Sequence, residues 1–156
     1  FFYGVTKIVS RLFDIVNPTH TFFGEKDAQQ SRIIKKMIDD LNYDIKFFTC
    51  PTKRNDDGLA LSSRNNYLNK EDQKKACIVY QSLMVVKELI KKGEKDTEKL
   101  KQNFVSSINS CSGFAVDYIS IACNNSLKEL DIWEEKSLIS AAVFYKKIRL
   151  IDNFVY

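Results

Sequence analysis

The chain has 156 residues, room for one domain or one and a half small ones, and its hydrophobic share of 44% is enough for a sizeable core. A net charge of +4, mixed in sign along the chain, suits an anionic small substrate and is a poor match for nucleic acid. The longest apolar run, Leu138 to Tyr145, is too short to span a bilayer, so no membrane partner is expected.

From Gly4 to Val16, Val5, Ile8, Val9, Leu12, Ile15 and Val16 recur at the period of a helix with one buried face. Asn17-Pro18 ends it, because the residue before a proline avoids the helical region. Thr19 to Phe23 reads as a strand broken by Gly24, and Asp27 to Leu41 as a second helix with Asn42 at its C-terminus. Ile45 to Thr49 reads as a second strand. Helix, strand, helix and strand with short connections predict a parallel sheet with helices packed on it.

Residues 51 to 68 have no sustained periodicity and carry Pro51 and Gly58; they read as a functional or connecting loop, with Asp56 to Ser62 mobile about Gly58. Asn69 then caps a helix opening with Glu71 and Asp72 and running to about Lys92, where Gly93 stops it. Another helix runs from about Asp96 to Asn109. Phe114 to Cys123, Lys136 to Tyr145 and Ile148 to Ile151 read as strands, the last two pairing antiparallel across a tight turn. Helices followed by an antiparallel sheet make an α+β unit, so the expected boundary falls near residue 52.

Four cysteines without a CxxC pair, and a single histidine, argue against a zinc site and for reduced thiols in a reducing compartment. Cys50 is expected to be a packed thiol, and Trp133 with Leu127, Leu130 and Ile132 to be core. The lysines from Lys87 to Lys101 alternate with acids, as on a solvated face. His20 reads as a strand-start or surface residue. No signal peptide is visible, and the first residue is Phe1, which leads us to expect a fragment or a processed product.

Two polar clusters interrupt this pattern. In "FFGEKDAQQ" (residues 22–30), Gly24 stands at the carboxyl end of a strand, where open parallel sheets bind ligands. A helix N-terminus follows, and it favours phosphate or carboxylate. Lys26 adds a full positive charge, and Gln30, one turn into the helix, can donate and accept hydrogen bonds. In "DGLALSSRNNYL" (57–68), Ser62 and Ser63 offer hydroxyls and Arg64 a planar fork for phosphate oxygens, with Lys53 and Arg54 shortly before. Both clusters ask for an anionic ligand.

"FFGEKDAQQ", "CPTKR", "DGLALSSRNNYL" and the terminal "RLIDN" (Arg149 to Asn153), in this order, closely resemble the pantothenate synthetase family, the pantoate–β-alanine ligases. The opening "FFYGVTKIVSRLFDIVNP" resembles the segment preceding the GEKD turn in that family, so the likeness covers essentially the whole chain. The resemblance implies an α/β fold. Residues 1–52 would be the C-terminal part of a Rossmann-like nucleotidyl transferase domain, and 53–156 a small α+β domain with an antiparallel sheet. It implies a cytoplasmic homodimer that uses ATP with Mg²⁺ as substrate and no prosthetic group. Pantoate would be activated as pantoyl adenylate, and β-alanine would then displace AMP. The ATP-contacting turn falls on Gly24, Glu25, Lys26 and Asp27, the pantoate-holding glutamine on Gln30, a further ATP contact on Lys53, and the ATP loop on Leu61, Ser62, Ser63 and Arg64. Lys26 and Arg64 are the expected catalytic cations.

One departure stands out: the family's HxGH-type histidine motif is not among these residues. This leaves two alternatives open, another nucleotidyl transferase of the same superfamily, or a non-catalytic domain that binds nucleotide or protein. It also leads us to expect that the chain alone lacks part of the active site.

Overall fold

A computed structural model describes all residues, 1–156. The chain forms two compact units, Phe1–Thr52 and Lys53–Tyr156.

The first unit runs α1 (Phe2–Val16), β1 (His20–Gly24), a 3₁₀ turn (Glu25–Asp27), α2 (Ala28–Asp40) and β2 (Lys46–Cys50). β1 and β2 pair in parallel, from His20 opposite Lys46 to Gly24 opposite Cys50. Alternation along the strands sends Phe23 and Phe47 into the core, stacked at 5.5 Å, with Phe13, Ile34, Met37 and Ile38. Phe22 and Phe48 stack at 5.2 Å on the other face and stay exposed.

The expected face of α1 needs correction. Its inward stripe is Val5, Val9 and Phe13, spaced four residues apart, and only Phe13 is fully buried. Ile8, Leu12, Ile15 and Val16 are exposed. The helix ends where Asn17 turns left-handed (φ 48°) and donates its N–H to the Phe13 carbonyl at 2.8 Å.

The second unit packs helices on one face of an antiparallel sheet. Its elements are α3 (Lys70–Ala76), α4 (Ile78–Lys91), α5 (Thr97–Asn109), β3 (Phe114–Cys123), β4 (Ser137–Tyr145) and β5 (Ile148–Val155), in sheet order β3-β4-β5. Ile139, Ala141, Val143 and Tyr145 of the central strand point into a core shared with Leu83, Val86, Leu100, Phe104 and Ile108. The predicted single helix from Asn69 to Lys92 is two helices. At Cys77 the N–H bonds to the Lys74 carbonyl, three residues back, and this tighter turn separates α3 from α4. β5 is twice as long as expected. Asp152 and Asn153 lower its strand propensity, yet both are buried and held by specific partners.

Two single-residue expectations also change. Cys50 is exposed at the end of β2. Ile132 is 68% exposed, although Trp133 does pack on the core, edge-on to Tyr156 at 4.9 Å. By contrast, Asn69 caps α3 as expected and accepts the Asp72 N–H at 2.8 Å.

Asp72 does more than favour a helix end. It is buried, and its oxygens accept from the Tyr145 hydroxyl at 2.7 Å and the Lys146 ammonium at 2.8 Å. The Lys146 bond first, then the Tyr145 bond, hold its carboxyl below the usual carboxylate range. The unfolded chain therefore binds this proton more tightly than the folded one. The resulting stability is complete above the unfolded value of about 4 and is lost as pH falls through the folded value. We expect the thermal midpoint of the parent to fall more steeply below about pH 4 than that of Asp72→Asn. Parallel profiles in a pH series of melts would refute this.

Candidate functional site

The first unit builds its cluster where β1 passes into α2. Gly24 has ordinary extended torsions (φ −73°, ψ 135°), and a Cβ added there would meet nothing within 4 Å. Neither backbone strain nor packing demands glycine at this point. What the missing side chain leaves is open space at the carboxyl end of the strand, where a ligand can approach the backbone. The 3₁₀ turn of Glu25, Lys26 and Asp27 follows, so α2 starts at Ala28, one residue later than the sequence reading. Asp27 precedes the helix, yet its carboxylate makes no capping bond to the first turn. Lys26 and Gln30 are half-buried, and Asp27 is exposed.

A residue missed in the sequence joins this cluster. Arg32 is half-buried one turn into α2, and its guanidinium donates to the Ser31 hydroxyl at 3.0 Å and the Ala28 carbonyl at 3.2 Å. Burial lowers its proton affinity, and the nearby Glu25 carboxylate opposes that shift. The turn thus carries a second cation besides Lys26. Only the fold puts it beside Glu25.

The second unit presents the Ser-Ser-Arg segment on a built hairpin. Leu61 N–H donates to the Lys53 carbonyl at 2.9 Å, Asn55 N–H to the Leu59 carbonyl at 3.0 Å, and Leu59 N–H to the Asn55 side chain at 2.8 Å. Leu59 and Ala60 are buried at 5% exposure each. Gly58 takes φ 96°, and a Cβ there would stand 2.5 Å from a Tyr80 ring carbon. The hinge expected at Gly58 is a left-handed turn packed on Tyr80, and the segment around it carries buried apolar anchors and internal bonds.

Beyond the hairpin, Ser63–Tyr67 forms a 3₁₀ turn. The Ser62 hydroxyl donates to the Asn65 side-chain oxygen at 2.8 Å, and the Asn65 amide donates to the Ala60 carbonyl at 3.1 Å. Asn65, also missed in the sequence, is buried and ties the turn to the hairpin. Lys53, Leu61, Ser63 and Arg64 are exposed, and Ser62 is half-buried. Arg54 is half-buried and bonded inside the unit. It makes a two-bond fork with Asp152 at 2.6 and 2.8 Å, donates to the Gly58 carbonyl at 3.0 Å, and lies 4.1 Å from the Tyr80 ring centroid.

His20, the only histidine, shares a hydrogen bond with Thr19 at 2.9 Å and stacks on Phe48 at 5.8 Å at the start of β1, as expected of a strand-start residue. No group of three His, Cys, Asp or Glu side chains is placed to hold a metal ion. No helix is long and apolar enough to cross a membrane.

Known proteins match this arrangement. The pantothenate synthetase of Acetivibrio thermocellus is 44% identical over 154 residues, covering 99% of this chain and 55% of the relative. That of Caldicellulosiruptor bescii is 45% identical over the same shares. The crystal structure of pantothenate synthetase from Thermus thermophilus superposes with a TM-score of 0.90 at 36% identity, over 97% of this chain and 54% of that one. The pantoate-beta-alanine ligase of Francisella tularensis, complexed with beta-gamma ATP and beta-alanine, gives 0.67 at 30% identity, over 97% and 49%. The chain thus spans about half the length of the relatives it matches. The family model for pantoate-beta-alanine ligase matches residues 1–155, and with the parallel pair, the GEKD turn and the Ser-Ser-Arg segment on one chain, this protein belongs to the pantoate–β-alanine ligase family.

Proposed function

We propose that this chain supplies phosphate and pantoate contacts for the ATP-dependent condensation of pantoate with β-alanine. The observation that carries this reading is the family match over residues 1–155. The open backbone at Gly24 supports it, because nothing in the fold calls for glycine there. In the proposed reaction the pantoate carboxylate attacks the α-phosphorus of MgATP and pyrophosphate leaves. The β-alanine amine then attacks the acyl carbon of pantoyl adenylate and expels AMP. The solved relative from Francisella tularensis, with beta-gamma ATP and beta-alanine, supports the choice of substrates.

Negative charge develops on the α-phosphate and on departing pyrophosphate, and cations held ready there stabilise the transition state more than the ground state. Lys26 and Arg64 are proposed for that work, with Gly24, Glu25, Asp27, Lys53, Leu61 and Ser63 as ATP contacts. Ser62 is likewise proposed as an ATP contact, its hydroxyl turning from the Asn65 side-chain oxygen to which it donates here toward a phosphate oxygen. Gln30 is proposed to orient pantoate, a proximity effect. A homodimer in the cytoplasm, using Mg²⁺ only as part of MgATP and no prosthetic group, completes the proposal on the strength of the family.

Titration calorimetry of ATP tests the reading. The chain should bind ATP, and Lys26→Ala should bind it about tenfold more weakly, roughly 1.4 kcal/mol. Equal affinity in the two would refute the role of the turn.

A further inference from the structure

We propose that the Arg54–Asp152 pair is a positioning device for the Ser62-Ser63-Arg64 turn, and that it acts on nucleotide binding through the hairpin between them. Arg54 and Asp152 stand 98 residues apart in sequence, yet the two terminal guanidinium nitrogens each donate to one of the two carboxylate oxygens. The Asp152 side chain is 4% exposed, and its Oδ1 also accepts the Asn153 N–H at 2.8 Å. The Gly58 carbonyl and the Tyr80 ring are further partners of Arg54 inside the unit. Its sequence position beside Lys53 suggested an anion contact, but its geometry serves the chain itself.

What the pair holds is specific. A buried ion pair is weak evidence for added stability, since apolar replacements of equal size often do as well. A two-bond fork does fix orientation, because guanidinium and carboxylate planes must align. Here the fork fastens the hairpin strand at Arg54 to β5. Arg54 is bridged to Ala60 across the hairpin, and the Lys53 carbonyl takes the Leu61 N–H. The Ala60 carbonyl takes the Asn65 amide, and Asn65 takes the Ser62 hydroxyl. A continuous set of bonds therefore runs from Asp152 to the turn carrying Arg64. It also links the "RLIDN" and "SSRN" segments, which are far apart in the chain.

The nucleotide part of this inference rests on the ATP reading above, so the test separates the two. Arg54→Lys keeps the charge and removes the fork. ATP affinity is measured by calorimetry for this variant with Arg64 present and in an Arg64→Ala background. Amide hydrogen exchange without nucleotide is followed at residues 59–65 and in β4. We expect Arg54→Lys to weaken ATP about tenfold with Arg64 present and less than about twofold in Arg64→Ala, since coupling marks action through a shared element. Exchange at 59–65 should rise about tenfold, with β4 unchanged. An equal loss of affinity in both backgrounds, or unchanged exchange at 59–65, would overturn the proposal. Exchange rising equally in β4 would also overturn it, by making the pair a general prop. If the unaltered chain does not bind ATP, or Arg64→Ala binds it equally well, the ATP reading fails. The exchange comparison then decides alone whether the pair holds the turn. If Arg54→Lys does not fold, Asp152→Asn, which keeps the shape of the side chain, takes its place with the same outcomes.

Discussion

Phe104→Ala should unfold at a much lower urea concentration than the parent, with a loss of about 3–5 kcal/mol. Phe104 lies on α5, is fully buried, and is among the largest of the buried side chains. Truncation removes the transfer free energy of the ring and leaves a cavity between α5 and the helix-facing side of the sheet, and a close-packed interior relaxes into such a gap only partly. Small domains have only about 5–15 kcal/mol in total, so at least about a fifth of the stability would go. Trp133, the chain's only tryptophan, packs on the same core, so its fluorescence reports this unit and not residues 1–52. Val85→Ala on α4, at a site 48% exposed, serves as the control and should cost less than about 0.5 kcal/mol. A Phe104→Ala loss below about 1 kcal/mol, with an unchanged dependence on urea, would mean that α5 does not pack as described.

The elements most legible in the sequence are those whose local signals agree. β3 occupies Phe114–Cys123, the predicted span, because a β-branched and aromatic run lies between turn signals. α5 begins at Thr97 after Asp96, which accepts the N–H groups of Glu98 and Lys99 as a cap should. The parallel pairing of β1 and β2 follows from a helix between two short strands. Where packing partners decide, the sequence was a poorer guide. The periodicity of α1 contains two apolar stripes, and only tertiary contact selects Val5, Val9 and Phe13. Asp152 and Asn153 look like strand breakers until Arg54 is seen opposite, nearly a hundred residues away. The same long-range bond turned an apparently loose loop into an anchored hairpin. Within the candidate site, residue types and spacing pointed to an anionic ligand. The roles of Arg32 and Asn65 depended on neighbours that a linear reading does not place.

The largest expected effect is on turnover. With pantoate, β-alanine and MgATP, the 156-residue chain should release AMP at least about 10²-fold more slowly than the pantothenate synthetase of Acetivibrio thermocellus, while still binding ATP. The resemblance implies that two histidines of an HxGH-type motif stabilise the charge growing on the phosphate during adenylylation. No such motif lies in these residues, and His20 cannot stand in for it. Its ring is stacked on Phe48 at the first residue of β1, whereas Gly24 and the GEKD turn lie at the strand's other end. Lys26 and Arg64, the cations proposed for the phosphates, are both on this chain, so affinity should persist where rate does not. Removing one preorganised donor typically costs about 10²–10³ in rate, or roughly 3–4 kcal/mol. Two donors acting on one phosphate do not contribute additively, so the deficit is expected to exceed the single-donor value without reaching its square. Binding with slow turnover would locate the missing rate in stabilisation of the transition state and not in capture of the nucleotide. AMP release within about tenfold of the Acetivibrio enzyme would instead show that Lys26, Arg64 and Arg32 suffice for adenylylation, and that the histidines are dispensable to it.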